Sequence, residues 1–517
     1  MNARSIAASL VCLMILGSGA VAGDRPNILW LITEDMGPEQ ACYGTSQVWT
    51  PTIDALAAKG VRYDMAFTVT PVCSTSRSGF CTGMHPITIG AHQHRTLAQH
   101  KKPLPEGVKA ITDWFRDAGY WTANIKSMGG EKYGTGKVDW DFAYEGKPFD
   151  GKEWDDLKSH QPFYAQVNFS QSHRGWGAPK KADPTKVVMP PYYPDHPVAR
   201  ADWAGYLDEI TQVDGLVAQA LSRLEKDGLA DNTIVVVMGD HGRAHVRGKQ
   251  WPYDSGLRIP LIIHIPKALG SPAGYSRGQA DKQLIASIDV TATSLALAGI
   301  EKPTRMQGRV FLGESRDPKR AYTYATRDRC DMTTFRIRTV RGERYRYIRN
   351  FMPERPFLQL NLYKERSYPM IELMRELHAQ GKLNATQAVA LAPRRPAEEL
   401  YLIEEDPYEV NNLVGSDNKN HQRVLKRLRN ELDRWIEDAD DQGRTLEDPA
   451  IGEGILATVI DKSDPEKLTD LKSTILSQIA IDGMDVDYVA YLKRALAKVE
   501  HRLSNPLKKP PRKKRKK

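Results

Sequence analysis

The sequence predicts an α/β protein with a large, mostly parallel β-sheet flanked by helices and a smaller antiparallel sheet towards the C-terminus. Residues 25–37 and 233–238 are continuous apolar runs, which are typical of strands buried on both faces of a parallel sheet. Segments with helical spacing alternate with such runs, as βαβ units require. After about residue 329 the pattern changes, and residues 336–348 indicate a hairpin that turns at Gly342.

The elements between the two apolar runs follow the same alternation. Residues 50–60 and 112–119 are predicted to be short helices that end at glycines. Residues 120–125 and 162–169 are predicted strands, and the apolar spacing from 206 to 224 predicts a longer helix. This order places helices on both faces of one sheet.

The chain of 517 residues is longer than one hydrophobic core usually supports, so we expect two domains of unequal size. Residues 1–22 combine a basic residue, a short apolar run and small residues suited to signal peptidase, which predicts a removable export signal. A main domain is predicted over 23–329 and an α+β subdomain over 330–440. A helical extension at 441–507 and a basic disordered tail at 508–517 complete the chain.

The apolar run of the signal is shorter than the ~20 residues that span a bilayer, and no later segment qualifies. A membrane anchor is the alternative interpretation of this run. We expect a secreted or periplasmic protein without a membrane span.

The net charge of +9 does not indicate a nucleic-acid-binding protein. Residues 508–517 carry eight basic and no acidic residues, and Arg4 adds one charge in the predicted signal, so residues 23–507 are neutral overall. Such a run is typical of a solvated tail, with attachment to an acidic polymer or membrane surface as the alternative. We expect no nucleic-acid partner.

Two predicted strands end in residues that can bind a metal ion. Glu34 and Asp35 end the first apolar run, and Asp240 and His241 follow the run at 233–238. Open α/β sheets bind ligands at the carboxyl ends of their strands, and carboxylates suit Ca²⁺ or Mg²⁺. The alternatives are an acid pair in a surface loop and a histidine that caps a strand.

Residues 71–86 form the candidate reactive stretch. If a helix begins at Cys73, its free N–H groups favour an anion there, and Arg77 projects from the same face one turn later. Cys81 falls near that face too, so a helix of small buried residues fits these residues equally well.

Five motifs stand in a fixed order along the chain. They are Pro26-Asn27-Ile28 leading to Glu34-Asp35, Cys73 and Arg77 followed by Thr82-Gly83, Asp240-His241-Gly242, Lys249 before a segment ending at Pro260, and residues 401–413. In this order the chain resembles a type I sulfatase of the alkaline phosphatase superfamily from Pro26 to about Leu413. Residues 89–95 further resemble the branch with heparan N-sulfatases and bacterial polysaccharide sulfatases. The resemblance implies an alkaline-phosphatase-like sandwich with the catalytic domain at 23–329.

The resemblance also implies the chemistry. A formylglycine-generating enzyme would oxidise Cys73 to formylglycine, whose hydrate attacks the sulfur of a sulfate ester. The implied Ca²⁺, with Mg²⁺ as the alternative, would bind Glu34, Asp35, Asp240, His241 and modified Cys73; Glu34 stands where the family has aspartate. The other implied catalytic residues are Arg77, Lys137, Lys249 and His173, the last as the acid that protonates the leaving alcohol. Substrate contacts are implied for His94, Arg95 and Lys249.

Two further departures from the family pattern concern single positions. Thr75 stands where the signature has proline or alanine. This threonine changes the sequence that a formylglycine-generating enzyme would recognise around Cys73. Asp139 replaces a family histidine, which leaves Asp139, His94 or another residue as the base for sulfate release. An inserted glycine-rich segment makes Lys126 an alternative to Lys137.

We therefore predict hydrolysis of sulfate esters, or N-sulfates, on a sulfated carbohydrate. A phosphomonoester or phosphonate hydrolase of the same superfamily would share the metal site. A protein that binds sulfated glycans without catalysis is the alternative if Cys73 is not matured. Taken singly, His173 is more often structural than catalytic, and Lys137 and Lys249 would ordinarily be surface lysines.

Overall fold

The computed structural model describes residues 25–128 and 134–505. The predicted export signal at 1–22 and the predicted basic tail at 508–517 lie outside these residues. The strands are β1 (Asn27–Thr33), β2 (Val61–Tyr63), β3 (Ala66–Phe67), β4 (Trp121–Ile125), β5 (Phe163–Phe169), β6 (Thr233–Gly239), β7 (Leu261–His264), β8 (Gln279–Asp281), β9 (Ile285–Ala286), β10 (Thr323–Arg327), β11 (Ile337–Arg341), β12 (Tyr345–Asn350) and β13 (Glu398–Leu402).

Helices occur along the whole of the described chain. They are α1 (Pro51–Lys59), α2 (Cys73–Thr82), α3 (Ile111–Asp117), α4 (Pro197–Lys226), α5 (Asp254–Leu257), α6 (Ser287–Leu297), α7 (Leu362–Ser367), α8 (Pro369–Ala379), α9 (Ala385–Ala388), α10 (Lys419–Asp438), α11 (Pro449–Lys462), α12 (Pro465–Ile479) and α13 (Val486–Ser504). None of these helices combines the length and the apolar character needed to cross a bilayer.

The main sheet has seven strands in the order β4-β5-β1-β6-β7-β2-β8. Strands β4, β5, β1 and β6 are parallel, β7 runs antiparallel to β6 and β2, and β8 is parallel to β2. Every residue of β1 and β6 is buried, as their unbroken apolar sequences predicted. The predicted mostly parallel sheet is therefore confirmed, with β1 and β6 at its centre.

Helices cover both faces of this sheet. Successive side chains of a strand point to opposite faces. Leu29 and Leu31 of β1 accordingly pack with residues of α1 and α4. Trp30 of β1 packs on the other side with residues of α2, α3 and α6, and its indole N–H donates to Ser294 Oγ (3.0 Å).

The second sheet is antiparallel, in the order β10-β11-β12-β13. Strands β11 and β12 form the predicted hairpin, and α10 packs on this sheet through Leu425, Leu428 and Leu432. Helices α11, α12 and α13 share a separate hydrophobic cluster with Leu360 and Leu362, which flank the start of α7. The helical extension therefore rests against the segment that leads into α7. The domain boundaries stay predictions.

Candidate active site

The carboxyl ends of β1 and β6 lie side by side and bring the two predicted acidic pairs together. Thr33 at the end of β1 pairs with Gly239 at the end of β6. Beyond them, the backbone N–H of Asp35 donates to Asp240 Oδ1 (3.0 Å). Asp35 adopts a left-handed φ of 51°, and a Cβ at Gly242 would lie 2.3 Å from the Ser255 carbonyl oxygen. A tight turn and a close backbone approach thus form this edge.

Cys73 is the first residue of α2, as predicted, and lies against that edge. Its Sγ is 3.2 Å from His241 Nε2 and 3.8 Å from Asp35 Oδ1. The side chain is fully buried. Burial raises the pKa of the thiol, but Lys137, Lys249 and His241 together lower it well below the usual value. The surroundings of position 73 therefore stabilise negative charge.

Four donor groups converge tightly enough to bind one metal ion. The ligand atoms of Asp35, Cys73, Asp240 and His241 all lie within 4.8 Å of one another, and all four residues are buried. His241 Nδ1 donates to the Gly242 carbonyl oxygen (2.9 Å), which leaves Nε2 facing the cluster. Metal-binding histidines usually have this second hydrogen bond. Two buried carboxylates and an oriented imidazole fit a divalent cation.

Glu34 lies beside this cluster with its carboxylate turned towards two basic side chains. Its Oε2 accepts from Lys137 Nζ (3.1 Å), and its Oε1 is 3.7 Å from Arg77 Nη2. The role of Glu34 as a metal ligand stays a prediction.

The buried Arg77 side chain connects α2 to the strand ends at Asp240 and Asn168. Nε and Nη2 both donate to Asp240 Oδ2 (3.2 and 3.1 Å), and Nη1 donates to Asn168 Oδ1 (2.7 Å). The guanidinium is almost fully buried. It lies one turn after Cys73 on α2, as the spacing predicted, and fixes the Asp240 carboxylate in its orientation.

The predicted lysines reach the site from two different loops. Lys249 Nζ donates to both Asp35 oxygens (2.9 and 2.8 Å) and is buried. Burial would raise the pKa of Asp35, but Lys249 and His241 hold it well below its usual range. Lys137 Nζ lies between Glu34 and Asp139 (3.6 Å), whereas Lys126, the alternative, is exposed.

His173 borders the metal cluster, and part of its side chain is exposed to solvent. Its Nε2 is 3.9 Å from Asp35 Oδ2, and Nδ1 donates to the Arg174 carbonyl oxygen (3.2 Å). Arg95 is half exposed, and its Nε is 3.9 Å from Asp139 Oδ1. These residues border the site without entering the metal cluster.

His94 is held by a residue that the motifs did not indicate. Its Nδ1 lies 3.2 Å from Asp331 Oδ1, and Asp331 Oδ2 accepts from Gln250 Nε2 (2.9 Å) and Asn361 Nδ2 (3.2 Å). Burial lowers the pKa of His94, but Asp331 and the Cys73 thiol outweigh it and raise the pKa to about 9. His94 thus lies between Cys73 and Asp331.

Fold and site together define an α/β enzyme with a candidate metal centre beside a reactive cysteine. The chain belongs to the sulfatase family: the sulfatase family model matches residues 26–148 and 150–300. A second model, the C-terminal region of N-sulphoglucosamine sulphohydrolase, matches residues 239–387. The protein is therefore a sulfatase, as the sequence motifs predicted.

Relatives of known name agree with this assignment. An ulvan-active sulfatase of Formosa agariphila is 35% identical over 462 residues, which cover 80% of this chain and 75% of the relative. Human N-sulphoglucosamine sulphohydrolase is 24% identical over 477 residues, covering 82% and 92%. A solved structure of a 2-O GAG sulfatase superposes with a TM-score of 0.57 at 20% identity, covering 83% of this chain and 96% of that one.

Proposed function

We propose that the protein hydrolyses sulfate esters on a sulfated carbohydrate, using the hydrate of a formylglycine made from Cys73. The observation that carries the proposal is the position of Cys73. It begins α2, within reach of His241 and Asp35 and beside the buried Lys249 and the partly exposed Lys137. The carbohydrate substrate is supported by the relatives named for ulvan and N-sulphoglucosamine.

The proposed reaction has two steps at residue 73. One hydroxyl of the hydrate gives its proton to water and its oxygen bonds to sulfur, the bond from sulfur to the sugar oxygen breaks, and His173 gives a proton to the departing alcohol. The second hydroxyl then gives its proton to a base of the site, the aldehyde re-forms, and the bond from carbon to the sulfate oxygen breaks with its electron pair. Addition of one water to the aldehyde restores the hydrate. Lys249 and Lys137 offset the negative charge of sulfate throughout.

A divalent cation completes the proposed site. Asp35, Asp240 and His241 would hold it, with residue 73 as a further ligand. We propose Glu34 as a fifth ligand and Ca²⁺ as the ion, with Mg²⁺ as the alternative. When bound, the ion supplies Lewis-acid stabilisation of the attacking hydroxyl and the sulfate. Arg77 keeps Asp240 oriented for this role.

Maturation and export belong to the same proposal. Thr75 is buried inside α2, where its hydroxyl lies 2.7 Å from Thr70 Oγ1 and 3.2 Å from the Val72 carbonyl oxygen. The folded helix therefore accepts threonine at this position. We infer that a formylglycine-generating enzyme converts Cys73 and that the protein acts in the periplasm or outside the cell.

The test measures sulfate release from a panel of sulfated glycans by protein produced with a formylglycine-generating enzyme. Peptide mass spectrometry confirms the aldehyde at position 73, and Cys73→Ala serves as the matched control. The sulfate and phosphate esters of one alcohol are compared to exclude a phosphatase. Turnover of the phosphate ester alone, or no release by aldehyde-bearing protein, would contradict the proposal.

A further inference from the structure

A tyrosine hydroxyl lies at the edge of the site, near the ion pair of Lys249 and Asp35. The Tyr363 oxygen is buried, and no group in the part of the chain that the structure describes hydrogen-bonds to it. The Tyr363 ring centroid lies 5.2 Å from Lys249 Nζ and 5.8 Å from the centroid of the His173 ring. A buried hydroxyl without a partner is costly. Because this one belongs to a ring beside Lys249 and His173, a bound substrate can supply the partner here.

Tyr363 lies within electrostatic reach of the reactive centre. Burial raises the pKa of its phenol to about 12, with Lys249 lowering it and Asp35 and Cys73 raising it. The phenol therefore keeps its proton at neutral pH and offers a hydrogen-bond donor. Lys249 and His173, its two neighbours, are the groups assigned to sulfate and to the departing alcohol.

Hydrogen bonds of the residues before and after Tyr363 hold the start of α7 in place. Asn361 caps the helix by accepting from the Lys364 backbone N–H (3.2 Å), and its side-chain amide donates to Asp331 (3.2 Å). Lys364 Nζ donates to the Lys249 carbonyl oxygen (3.0 Å). On the outer side, the Leu360 N–H donates to the Tyr488 hydroxyl of α13 (2.7 Å). The backbone that carries Tyr363 is therefore held in place before a ligand binds.

We propose that the Tyr363 hydroxyl donates a hydrogen bond to a non-bridging oxygen of the bound sulfate group, between Lys249 and His173. This inference rests on the proposed chemistry at residue 73. It gives the α7 segment a direct part in substrate binding. Because inorganic sulfate has the same oxygens, the contact should be made to the product as well as to the ester.

The test compares Tyr363→Phe with wild type and with Tyr368→Phe. Tyr368 also has a buried, unbonded hydroxyl and packs edge-on against Tyr363 at 5.8 Å, so its variant controls for the loss of a hydroxyl near α7. Each protein is matured alike, its aldehyde content is measured, and kcat, KM and inhibition by inorganic sulfate are determined. We expect Tyr363→Phe to lose about 10- to 100-fold in kcat/KM and to bind sulfate more weakly, whereas Tyr368→Phe stays within about twofold of wild type.

Unchanged kcat/KM in Tyr363→Phe at equal aldehyde content would overturn the inference. So would equal losses in both variants, or a loss of kcat/KM without weaker sulfate inhibition. A failure of the proposed function appears differently, as absence of turnover in matured wild type. In that case, the affinities of wild type and Tyr363→Phe for inorganic sulfate are compared by calorimetric titration. Equal affinities would reject the hydrogen bond from Tyr363 to sulfate.

Discussion

Replacing Asp331 by asparagine tests whether the C-terminal part of the chain positions a histidine against residue 73. Asp331 Oδ1 lies 3.2 Å from His94 Nδ1, and both side chains are largely buried. Asparagine keeps the shape and the contacts available to Gln250 and Asn361 but removes the charge. Hydrogen bonds to charged groups contribute about 1.5–3 kcal/mol, which corresponds to roughly 10- to 100-fold in rate when the bond orients a reacting group.

The assay is steady-state sulfate release by matured Asp331→Asn, normalised to aldehyde content. We expect kcat to fall by about 10- to 100-fold while KM and the melting temperature stay close to wild type. Asp317→Asn is the control, because it removes a comparable ion pair with Lys302 (2.7 Å) that contacts no residue of the site. Wild-type kcat in Asp331→Asn, or a loss matched by Asp317→Asn, would refute the reasoning.

Intact-mass measurement during turnover then separates the two steps. Because a pKa of about 9 keeps His94 protonated at neutral pH, His94 would assist sulfate release as a charged donor and not as a base. Sulfated residue 73 accumulates in Asp331→Asn if release needs this donor, and it accumulates in Asp139→Asn if Asp139, at the position of the family histidine, takes the proton. The comparison separates these two roles.

Three further outcomes follow from the site and the fold. Arg77→Lys removes two of the buried contacts to Asp240, so we expect a loss of about 3 kcal/mol in the free energy of unfolding, measured by urea denaturation; a loss under 1 kcal/mol would contradict the anchoring role. A chelator should abolish sulfate release and lower the melting temperature, with Ca²⁺ restoring both, and Asp240→Asn should need at least about tenfold more Ca²⁺; an unchanged calcium requirement would exclude Asp240 as a ligand. Tyr488→Phe removes the acceptor of the Leu360 N–H and the hydrogen bond to Gln478 Oε1 (2.7 Å) and should lower the free energy of unfolding by about 1–3 kcal/mol, whereas Tyr491→Phe, whose hydroxyl has no partner among the described residues, should not; equal effects would count against these contacts.

The sequence predicted those parts of the site that follow directly from strand ends and helix starts. The unbroken apolar runs identified β1 and β6, and parallel neighbours must bring their carboxyl ends together, which placed Asp35 beside Asp240. The helix start at Cys73 and the one-turn spacing to Arg77 followed from local geometry. Glu34 and Asp35 were not separable, because the turn after β1 sends adjacent side chains in different directions and no periodicity encodes that turn.

No local sequence pattern indicated that Asp331 and Tyr363 line the site. Asp331 and Tyr363 come from segments more than 200 residues after His94. Asp331 lies in a turn and Tyr363 in the short helix α7, and neither belongs to a recognisable motif. Their contact with the site depends on how the second sheet and α7 pack against the main sheet. The helical extension was likewise uninterpretable from its periodicity alone, since its contacts with the site wall, which include its packing on Leu360 and Leu362, join segments far apart in the sequence.

The complete burial of Cys73 has a consequence for the order of events in the life of the chain. An enzyme that oxidises this residue needs access to its sulfur, and the folded protein leaves none exposed. If Cys73 is converted as proposed, conversion has to come before the chain closes over it. The wall that includes Tyr363 is synthesised almost 300 residues later, so the growing chain exposes its future nucleophile for most of its synthesis. Timing, as much as local sequence around Thr75, then determines the fraction of active molecules.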